Sequence, residues 1–261
     1  MKNSLKIIIT VLFIVTFAGC SLFSKRYTKN ITGENRITAS GKKSFKLNNI
    51  NGRIKISHTD DPFIIVKYDV SLKVKKNDLD DQVKLIGVKI DSLSPNVNVE
   101  VEMPEEHGLV IFDNSSKANF EIFVPDGIDV SIDNTNGNLI FNEMTNNINA
   151  EVINGNVDLI DDSGNAKVDI TNGSFHGVID STKGLSVETI NGSIRVNAKK
   201  NFAGQINSSS VHGKFTYEGL EFTKVRSTDK KDFEGDIGTS TSKIKFSTTN
   251  GNVNIISVEK K

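Results

Sequence analysis

The dipeptide Asn-Gly recurs six times within an alternating pattern of apolar and polar residues, and this repeat constrains the fold more than any other feature. Its copies are Asn51-Gly52, Asn136-Gly137, Asn154-Gly155, Asn172-Gly173, Asn191-Gly192 and Asn250-Gly251. From Asn136 the successive spacings are 18, 18 and 19 residues, and His212-Gly213 follows 21 residues after Asn191. Self-similarity at this period is typical of stacked structural units rather than of one irregular domain.

Apolar residues flank each Asn-Gly at alternate positions, which predicts two short strands per unit, each with one buried face. Around Asn154, for example, Ile148 and Ala150 precede the dipeptide, and Val157 and Leu159 follow it. The period of two, together with the Asn, Gly, Thr and Ser content of the repeats, excludes helix. We therefore expect an all-β fold.

Two arrangements of the unit are compatible with this pattern. In one, Asn-Gly is the two-residue turn of a β-hairpin, with both residues at positive φ. In the other, Asn adopts the left-handed conformation at a bend of a β-solenoid, and the glycine follows without steric cost. We favour the solenoid, because equivalent residues would then stack about 4.8 Å apart and would recur in register. The repeated Asn would form a ladder of side-chain amides, each bonded to the next.

The sequence thus predicts a single-stranded β-solenoid with 18–19 residues per turn over residues 127–258. A right-handed β-helix fits better than a left-handed hexapeptide helix, which needs an apolar residue at every sixth position. Residues 43–126 contain the first repeat and several longer alternating strands. They are predicted to form an antiparallel β section that caps the first turns, since an uncapped edge invites aggregation.

The first 20 residues have the organisation of a bacterial lipoprotein signal peptide. A basic start precedes an apolar stretch from Ile7 to Phe17, which is too short to span a bilayer core of about 30 Å. The stretch ends at Ala18, Gly19 and Cys20, in the manner of a lipobox. Cys20 is the only cysteine of the chain, and we predict that it carries a lipid anchor. The alternative is an ordinary secretory signal with an incidental cysteine.

Residues 21–42 are polar and are predicted to be a tether between the anchor and the folded domain. The formal net charge of the chain is zero, which argues against nucleic acid as a partner, because phosphate binding needs a concentrated basic face. We expect an extracytoplasmic protein that Cys20 anchors to a bacterial membrane. Its partners would be that membrane and an unidentified envelope protein or glycan.

In combination, these features resemble the bacterial "putative adhesin" family of β-strand-repeat envelope lipoproteins, a domain of unknown function. The resemblance covers residues 43–257 and rests on the lipobox, the early unit 50–56, the segment 120–127 and the tandem Asn-Gly units. It implies a β-helix-like fold and an envelope location. It supplies no catalytic residues.

Four consecutive repeats carry an acidic residue three positions before the Asn, namely Asp133, Glu151, Asp169 and Glu188. In a solenoid these would form an outward column of carboxylates about 4.8 Å apart. A bound cation would relieve their repulsion, and Ca²⁺ accepts carboxylate clusters, so the column is a candidate metal site. The alternative is a solvated column that nearby cations such as Lys167 and Arg195 neutralise.

The function predicted from these observations is a non-enzymatic binding, adhesin-like or structural module that requires no cofactor. Two alternatives stay open. One is a carbohydrate-active enzyme that uses the acidic column for catalysis, and the other is an accessory protein of the envelope-stress response.

Overall fold

The structure is a computed structural model that describes residues 26–75, 87–102, 116–229 and 231–258. Within these ranges the chain forms 21 β-strands and no helix. The strands are β1 (Arg26–Thr38), β2 (Ser44–Asn51), β3 (Ile54–His58), β4 (Phe63–Lys75), β5 (Gly87–Asp91), β6 (Asn96–Glu102), β7 (Lys117–Val124), β8 (Asp129–Asn136), β9 (Leu139–Asn142), β10 (Ile148–Asn154), β11 (Val157–Ile160), β12 (Asn165–Asn172), β13 (Phe175–Ile179), β14 (Gly184–Asn191), β15 (Ile194–Ala198), β16 (Gly204–Ser210), β17 (Phe215–Glu218), β18 (Lys224–Thr228), β19 (Asp232–Ile237), β20 (Lys243–Asn250) and β21 (Val253–Ser257). The described residues include no helix long and apolar enough to cross a membrane.

Two large mixed sheets contain all of these strands. Sheet A has 10 strands in the order β1-β4-β7-β3-β9-β11-β13-β15-β21-β17. Sheet B has 11 strands in the order β18-β19-β16-β20-β14-β12-β10-β8-β2-β6-β5. The repeat strands pair in parallel, whereas the strands at the ends of the sheets pair mainly antiparallel. The prediction of an all-β fold is confirmed.

Each repeat contributes one strand to each sheet. In the unit around Asn154, β10 lies in sheet B and β11 lies in sheet A. β10 pairs in parallel with β8 and β12, and β11 pairs in parallel with β9 and β13. Each strand therefore lies between the equivalent strands of the preceding and the following repeat. The hairpin alternative is wrong, because the strands on either side of Asn-Gly belong to different sheets. Asn-Gly instead marks the passage of the chain from sheet B to sheet A.

The inward residues of both sheets form one hydrophobic core. Its largest fully buried side chains include Phe45, Phe141, Phe175 and Phe246. Burial of a side chain of this size contributes about 2 kcal/mol or more relative to exposure. The core therefore runs through the whole stack of units, and neighbouring units stabilise one another.

The glycine of Asn-Gly lies where successive units approach most closely. A Cβ atom at Gly137 would lie 2.0 Å from the carbonyl oxygen of Gly52, and one at Gly173 would lie 1.9 Å from that of Gly155. The φ angles of Gly137 and Gly173 are 138° and 150°. The left-handed conformation predicted for Asn is therefore wrong, because the positive φ falls on the glycine. Close contact between backbones, more than the bend itself, requires glycine here.

The tether predicted for residues 21–42 is wrong over Arg26–Thr38, which form β1. This strand pairs with β4 along 13 residues in an unbroken antiparallel register. Ile31 and Ile37 pack against the core from β1, but they are too few in a polar segment to have marked a strand. With β4 and β7, β1 extends sheet A beyond the first repeat.

The last repeat of the chain does not occupy the end of the stack. In sheet B, β20 lies between β14 and β16, and in sheet A, β21 lies between β15 and β17. The unit that contains His212 therefore forms the end, and β18 and β19 continue sheet B beyond it. There Phe215 stacks on Phe233 with a centroid distance of 4.3 Å, and Phe222 packs edge-on against Phe233. This aromatic cluster covers that end of the core.

Candidate functional site

The outer face of sheet B brings together the four predicted acidic residues. Asp133, Glu151, Asp169 and Glu188 are Cα partners across β8, β10, β12 and β14, in that order. Asn48 precedes them on β2, and Ser247 follows them on β20. We call these four carboxylates the acidic row.

Lysines of the same sheet pair with three members of the acidic row. Lys46 Nζ lies 3.0 Å from a carboxylate oxygen of Asp133. Lys167 bonds Asp169 and Lys245 bonds Glu188, each at 2.5 Å. The hydrogen bond and the charge of Asp169 raise the pKa of Lys167, and the charges of Glu151 and Glu188 add to the effect.

These pairs differ in part from the neutralising cations predicted from the sequence. Arg195 lies on β15 in sheet A, away from the acidic row. The row is neutralised instead by Lys46 and Lys245, together with the predicted Lys167. All of the pairs are largely exposed, and each exposed ion pair stabilises a fold by only about 0–1 kcal/mol. The acidic row is thus a largely paired, hydrated stripe of charge.

The geometry gives no support to the predicted metal site. Within the described ranges, no group of three or more His, Cys, Asp or Glu side chains is arranged to hold a metal ion. Carboxylates on adjacent parallel strands project side by side about 4.8 Å apart, whereas Ca²⁺ needs six to eight oxygens around one centre. Asp133, Glu151, Asp169 and Glu188 form a row and do not converge on one point.

A second row, not predicted from the sequence, lies beside the acidic row. It occupies the position directly before the repeat Asn, and all its members are β-branched. In the order of the strands they are Ile50, Thr135, Ile153, Thr171, Ile190, Thr249 and Val211. The side chains of Ile50, Ile153, Ile190 and Val211 are 54%, 48%, 49% and 54% exposed. This β-branched row is visible when the units are aligned on Asn. The alternation within each strand assigns the position to the outer face of the sheet.

The two rows line a shallow groove. One depression is lined by residues of β2, β6, β8 and β10, and the next by residues of β10, β12, β14 and β20. Glu151 and Ile153 belong to both depressions, so the two are continuous across the strands. We call this feature the sheet B groove. Carboxylates line one side of it, and methyl groups of Ile and Thr line the other.

The repeat asparagines form a continuous ladder of amides along the edge of the stack. Each Nδ2 donates to the Oδ1 of the preceding member, from Asn136 to Asn51, Asn154 to Asn136, Asn172 to Asn154, Asn191 to Asn172 and Asn250 to Asn191, over 2.8, 2.9, 3.0, 2.8 and 2.7 Å. From Asn136 onward the side chains are exposed and do not point into the core.

Replacement of Asn172 by Leu is expected to lower the free energy of unfolding by about 1–2 kcal/mol. Two exposed hydrogen bonds between side-chain amides are lost, but water can satisfy the groups of Asn154 and Asn191 that made them. An inward ladder would have made this loss larger. Urea unfolding followed by circular dichroism measures the difference. Asn207→Leu, an exposed position outside the ladder, is the matched control. Equal effects of the two substitutions would mean that the ladder contributes nothing to stability.

Asp162 is a buried carboxylate in the turn between β11 and β12, with 4% of its surface exposed. The backbone N–H of Met144 donates to Oδ1 at 2.5 Å, and Oδ2 has no hydrogen-bond partner. Burial raises the pKa of Asp162 to about 7, the Met144 bond opposes the rise, and the charges of Asp161 and Glu143 add to it. The sequence marks the segment 161–164 only as a turn, so this group could not be predicted to be buried.

Cys20, the predicted site of lipidation, lies outside the described residues. The anchor therefore stays a prediction from the signal sequence. The first described residue, Arg26, follows Cys20 by six positions.

Taken together, the fold and this face define an all-β repeat protein with a regular, exposed outer groove. No family model matches the chain, and no curated protein matches it. Solved structures do match. A "putative cell adhesion protein" from Clostridium sporogenes ATCC 15579 is 17% identical with a TM-score of 0.48, and the match covers 88% of this chain and 100% of that one.

Two further structures are similar over most of the chain. A "putative adhesin" from Bacteroides fragilis NCTC 9343 is 16% identical, with a TM-score of 0.37 and coverage of 87% of this chain and 97% of that one. A "putative lipid binding protein" from Parabacteroides distasonis ATCC 8503 is 12% identical, with a TM-score of 0.29 and coverage of 87% and 96%. The descriptions of the Clostridium sporogenes and Bacteroides fragilis proteins match the "putative adhesin" family that the sequence resembles.

Proposed function

We propose that the protein is a non-enzymatic, lipid-anchored module of the cell envelope that binds a protein or a glycan through the sheet B groove. One observation carries this proposal. The acidic row and the β-branched row run side by side across neighbouring strands, and four large aliphatic side chains of the second row are about half exposed. The threonines between them add methyl groups to the same row, and exposed apolar groups gathered beside a polar rim are typical of an interaction site.

In this proposal the two sheets are opposite faces of a β-solenoid, with 18–19 residues per turn and the handedness of a right-handed β-helix. Parallel pairing of equivalent strands and the unbroken ladder from Asn51 to Asn250 support this architecture. A stack of this kind holds the groove rigid, so a partner would bind without ordering it first. Binding to a preorganised surface avoids part of the entropic cost of association.

The groove suits a ligand that extends across several strands. Its floor and walls repeat about every 4.8 Å from one strand to the next, so an elongated polypeptide or glycan could make the same contact several times. Methyl groups of the β-branched row would bury apolar surface of the ligand. Glu151, the member of the acidic row without a lysine partner among the described residues, would receive a donor from it.

Localisation in the envelope follows from the predicted lipid on Cys20. The six residues from Cys20 to Arg26 span at most about 20 Å when fully extended. An anchored lipid would therefore hold the β1 end of sheet A near the membrane surface. The groove extends away from that end along sheet B, where a partner in the envelope or outside it could reach it.

The proposal excludes catalysis by the acidic row. A glycosidase needs one carboxyl group that donates a proton and a second carboxylate that acts as base or nucleophile. Asp133, Asp169 and Glu188 are each held in an ion pair with a lysine, so three of the four carboxylates already have a partner on the protein. Turnover of an acidic polysaccharide that is lost in Glu151→Gln or Asp169→Asn would contradict this reading.

Replacement of Ile153 and Ile190 together by Lys is expected to abolish envelope binding, because two charges would replace the apolar wall of the groove. Membrane vesicles that carry the full-length protein would be tested against purified peptidoglycan and, in a separate arm, against solubilised envelope proteins by photo-crosslinking. Val225→Lys, an equally exposed aliphatic residue on β18, is the control. Binding that survives the double substitution, or that Val225→Lys also removes, would exclude the groove as the site.

A further inference from the structure

The outer edge of β1 is an open strand edge. β1 is the terminal strand of sheet A, and none of the described strands pairs with its outer side. Sheet A extends three strands beyond β3, whereas sheet B extends two beyond β2. β1 is therefore the outermost strand at this end of the fold. A long edge of this kind is a template for pairing with another chain.

Half of the residues of β1 direct their backbone polar groups to this open edge. The N–H of Ala39 donates to the carbonyl oxygen of Pro62 at 2.9 Å. Because backbone groups of a strand point alternately to its two sides, this bond shows which residues of β1 face β4 and which face the open edge. Odd-numbered residues thus bond to β4, and even-numbered residues, including Thr32, Glu34 and Arg36, direct N–H and C=O outward. The register with β4 is continuous over 13 residues and contains no bulge or proline, two devices that commonly protect an edge.

We propose that a second copy of this chain pairs with this edge, with the two β1 strands antiparallel and a two-fold axis at Asn35. In this register Glu34 of each copy lies opposite Arg36 of the other, and Thr32 lies opposite Thr38. All four are residues with outward backbone groups, so the same pairs exchange main-chain hydrogen bonds. Two opposite-charge pairs and two threonine pairs form on the exposed face of the joined sheet, and such cross-strand pairs stabilise antiparallel pairing.

The opposite face of the joined sheet is complementary as well. Ile37 of one copy lies opposite Gly33 of the other, and the ring of Tyr68 covers Gly33 so closely that a Cβ there would lie 2.3 Å from it. Ile37 would therefore pack against the Tyr68 ring of the second copy, and Ile31 would lie opposite Ala39. These side chains are only partly buried in the single chain, and pairing would cover them.

Charge selects this register over its neighbours. A two-fold axis at Glu34 would place Glu34 against its own counterpart, and like charges directly opposite each other are destabilising. An axis at Thr32 would place Glu34 opposite Asn30 and would leave Arg36 without a carboxylate from the second copy. The axis at Asn35 pairs both charges. The β1 edge is a different surface from the sheet B groove, and pairing through it does not depend on the proposed function.

Cysteine cross-linking of the full-length protein in membranes tests the register. At the axis, Asn35 would face its counterpart in a non-hydrogen-bonded pair with a Cα separation of about 4.5 Å, which a disulfide can bridge. Asn35→Cys should therefore give a disulfide dimer on mild oxidation. Thr32→Cys is the matched control, because its counterpart would lie six positions away along the strand, about 20 Å distant. The parent chain, which has only Cys20, gives the background. Equal dimer yields from the two variants would overturn the proposal.

Charge exchange without cysteines gives an independent test by sedimentation of the detergent-solubilised full-length protein. Glu34→Arg turns two attractive cross-strand pairs into two repulsive ones, and the dissociation constant of the dimer should rise about tenfold. Adding Arg36→Glu to Glu34→Arg restores opposite charges in the same register and should recover dimerisation. Pairing through β1 would be refuted if the parent protein were monomeric. It would also be refuted if the double variant dimerised no more tightly than Glu34→Arg.

Discussion

Gly173→Ala is expected to lower the free energy of unfolding by about 4 kcal/mol or more, a large effect for a single methyl group. The new Cβ would lie 1.9 Å from the carbonyl oxygen of Gly155, so the backbones of two units would have to separate. Separation also weakens the parallel ladders on both sides of the bend. Thermal and urea unfolding, followed by far-ultraviolet circular dichroism, would measure the loss.

Gly41→Ala separates this collision from simple backbone strain. Gly41 has a φ of 79°, and no atom lies within 4 Å of a Cβ placed there. A side chain at this position therefore incurs only the strain of the left-handed conformation, about 1–2 kcal/mol. If the two alanine variants lose the same stability, close packing between units does not explain the glycine of the repeat.

Asp162→Asn is expected to stabilise the protein by about 4 kcal/mol at pH 8 and by little at pH 4. Asn has the shape of protonated Asp162 but cannot ionise, so it avoids the cost of a buried charge. The charge is costly because burial raises the pKa of Asp162 from 3.8 to about 7. Melting temperatures of the parent and the variant across this pH range would measure the difference.

The sign of the pH dependence follows from where the proton is held. Between pH 3.8 and about 7 the folded protein keeps a proton on Asp162 that the unfolded chain releases. The contribution of Asp162 to stability therefore falls as pH rises through this window, and it is constant above it. The advantage of Asp162→Asn should grow over the same interval and then stop growing.

Asp180→Asn is the matched control, because Asp180 occupies the equivalent position of the next repeat. Asn201 donates to both carboxylate oxygens of Asp180 from its backbone and its side chain, and these bonds lower the pKa of Asp180. The lowered pKa means that ionised Asp180 stabilises the fold once the pH exceeds its ordinary value. Asp180→Asn should thus give no stabilisation at pH 8. A pH-independent effect of Asp162→Asn would show that the buried group does not titrate as argued.

The parts of the fold that depend on local pattern could be predicted from the sequence. Alternation around each Asn-Gly predicted two strands per unit, and the repeat predicted the amide ladder and the alignment of the acidic row. The geometry of the bend was predicted wrongly, because the contact between Gly173 and Gly155 involves two separate units and leaves no mark in either one. The β-branched row was present in the alignment, but its exposure needed both sheets to be placed.

Buried and paired groups were harder to predict than rows. Asp162 lies in a segment whose composition indicates an exposed turn, and only the neighbouring turns bury it. β1 lies in a polar segment, and its pairing with β4 joins residues that are at least 25 positions apart in the chain, the closest pair being Thr38 and Phe63. Lys46 and Lys245 lie on strands adjacent to those of Asp133 and Glu188. Each lysine is far from its partner along the chain, so the ion pairs could not be predicted from the sequence.

The sequence by itself determined the unit of this protein, and the tertiary structure decided the order in which the units stack. Any unit with the same alternation can pair with any other, so the repeat does not specify which neighbours are chosen. Asn250 continues the ladder from Asn191, and Thr248 donates to the carbonyl oxygen of Gly192 at 3.0 Å. His212 has no amide with which to continue the ladder, so its unit lies at the end of the stack, under the aromatic cluster. The order of the units therefore depends on contacts between side chains that lie far apart in the chain.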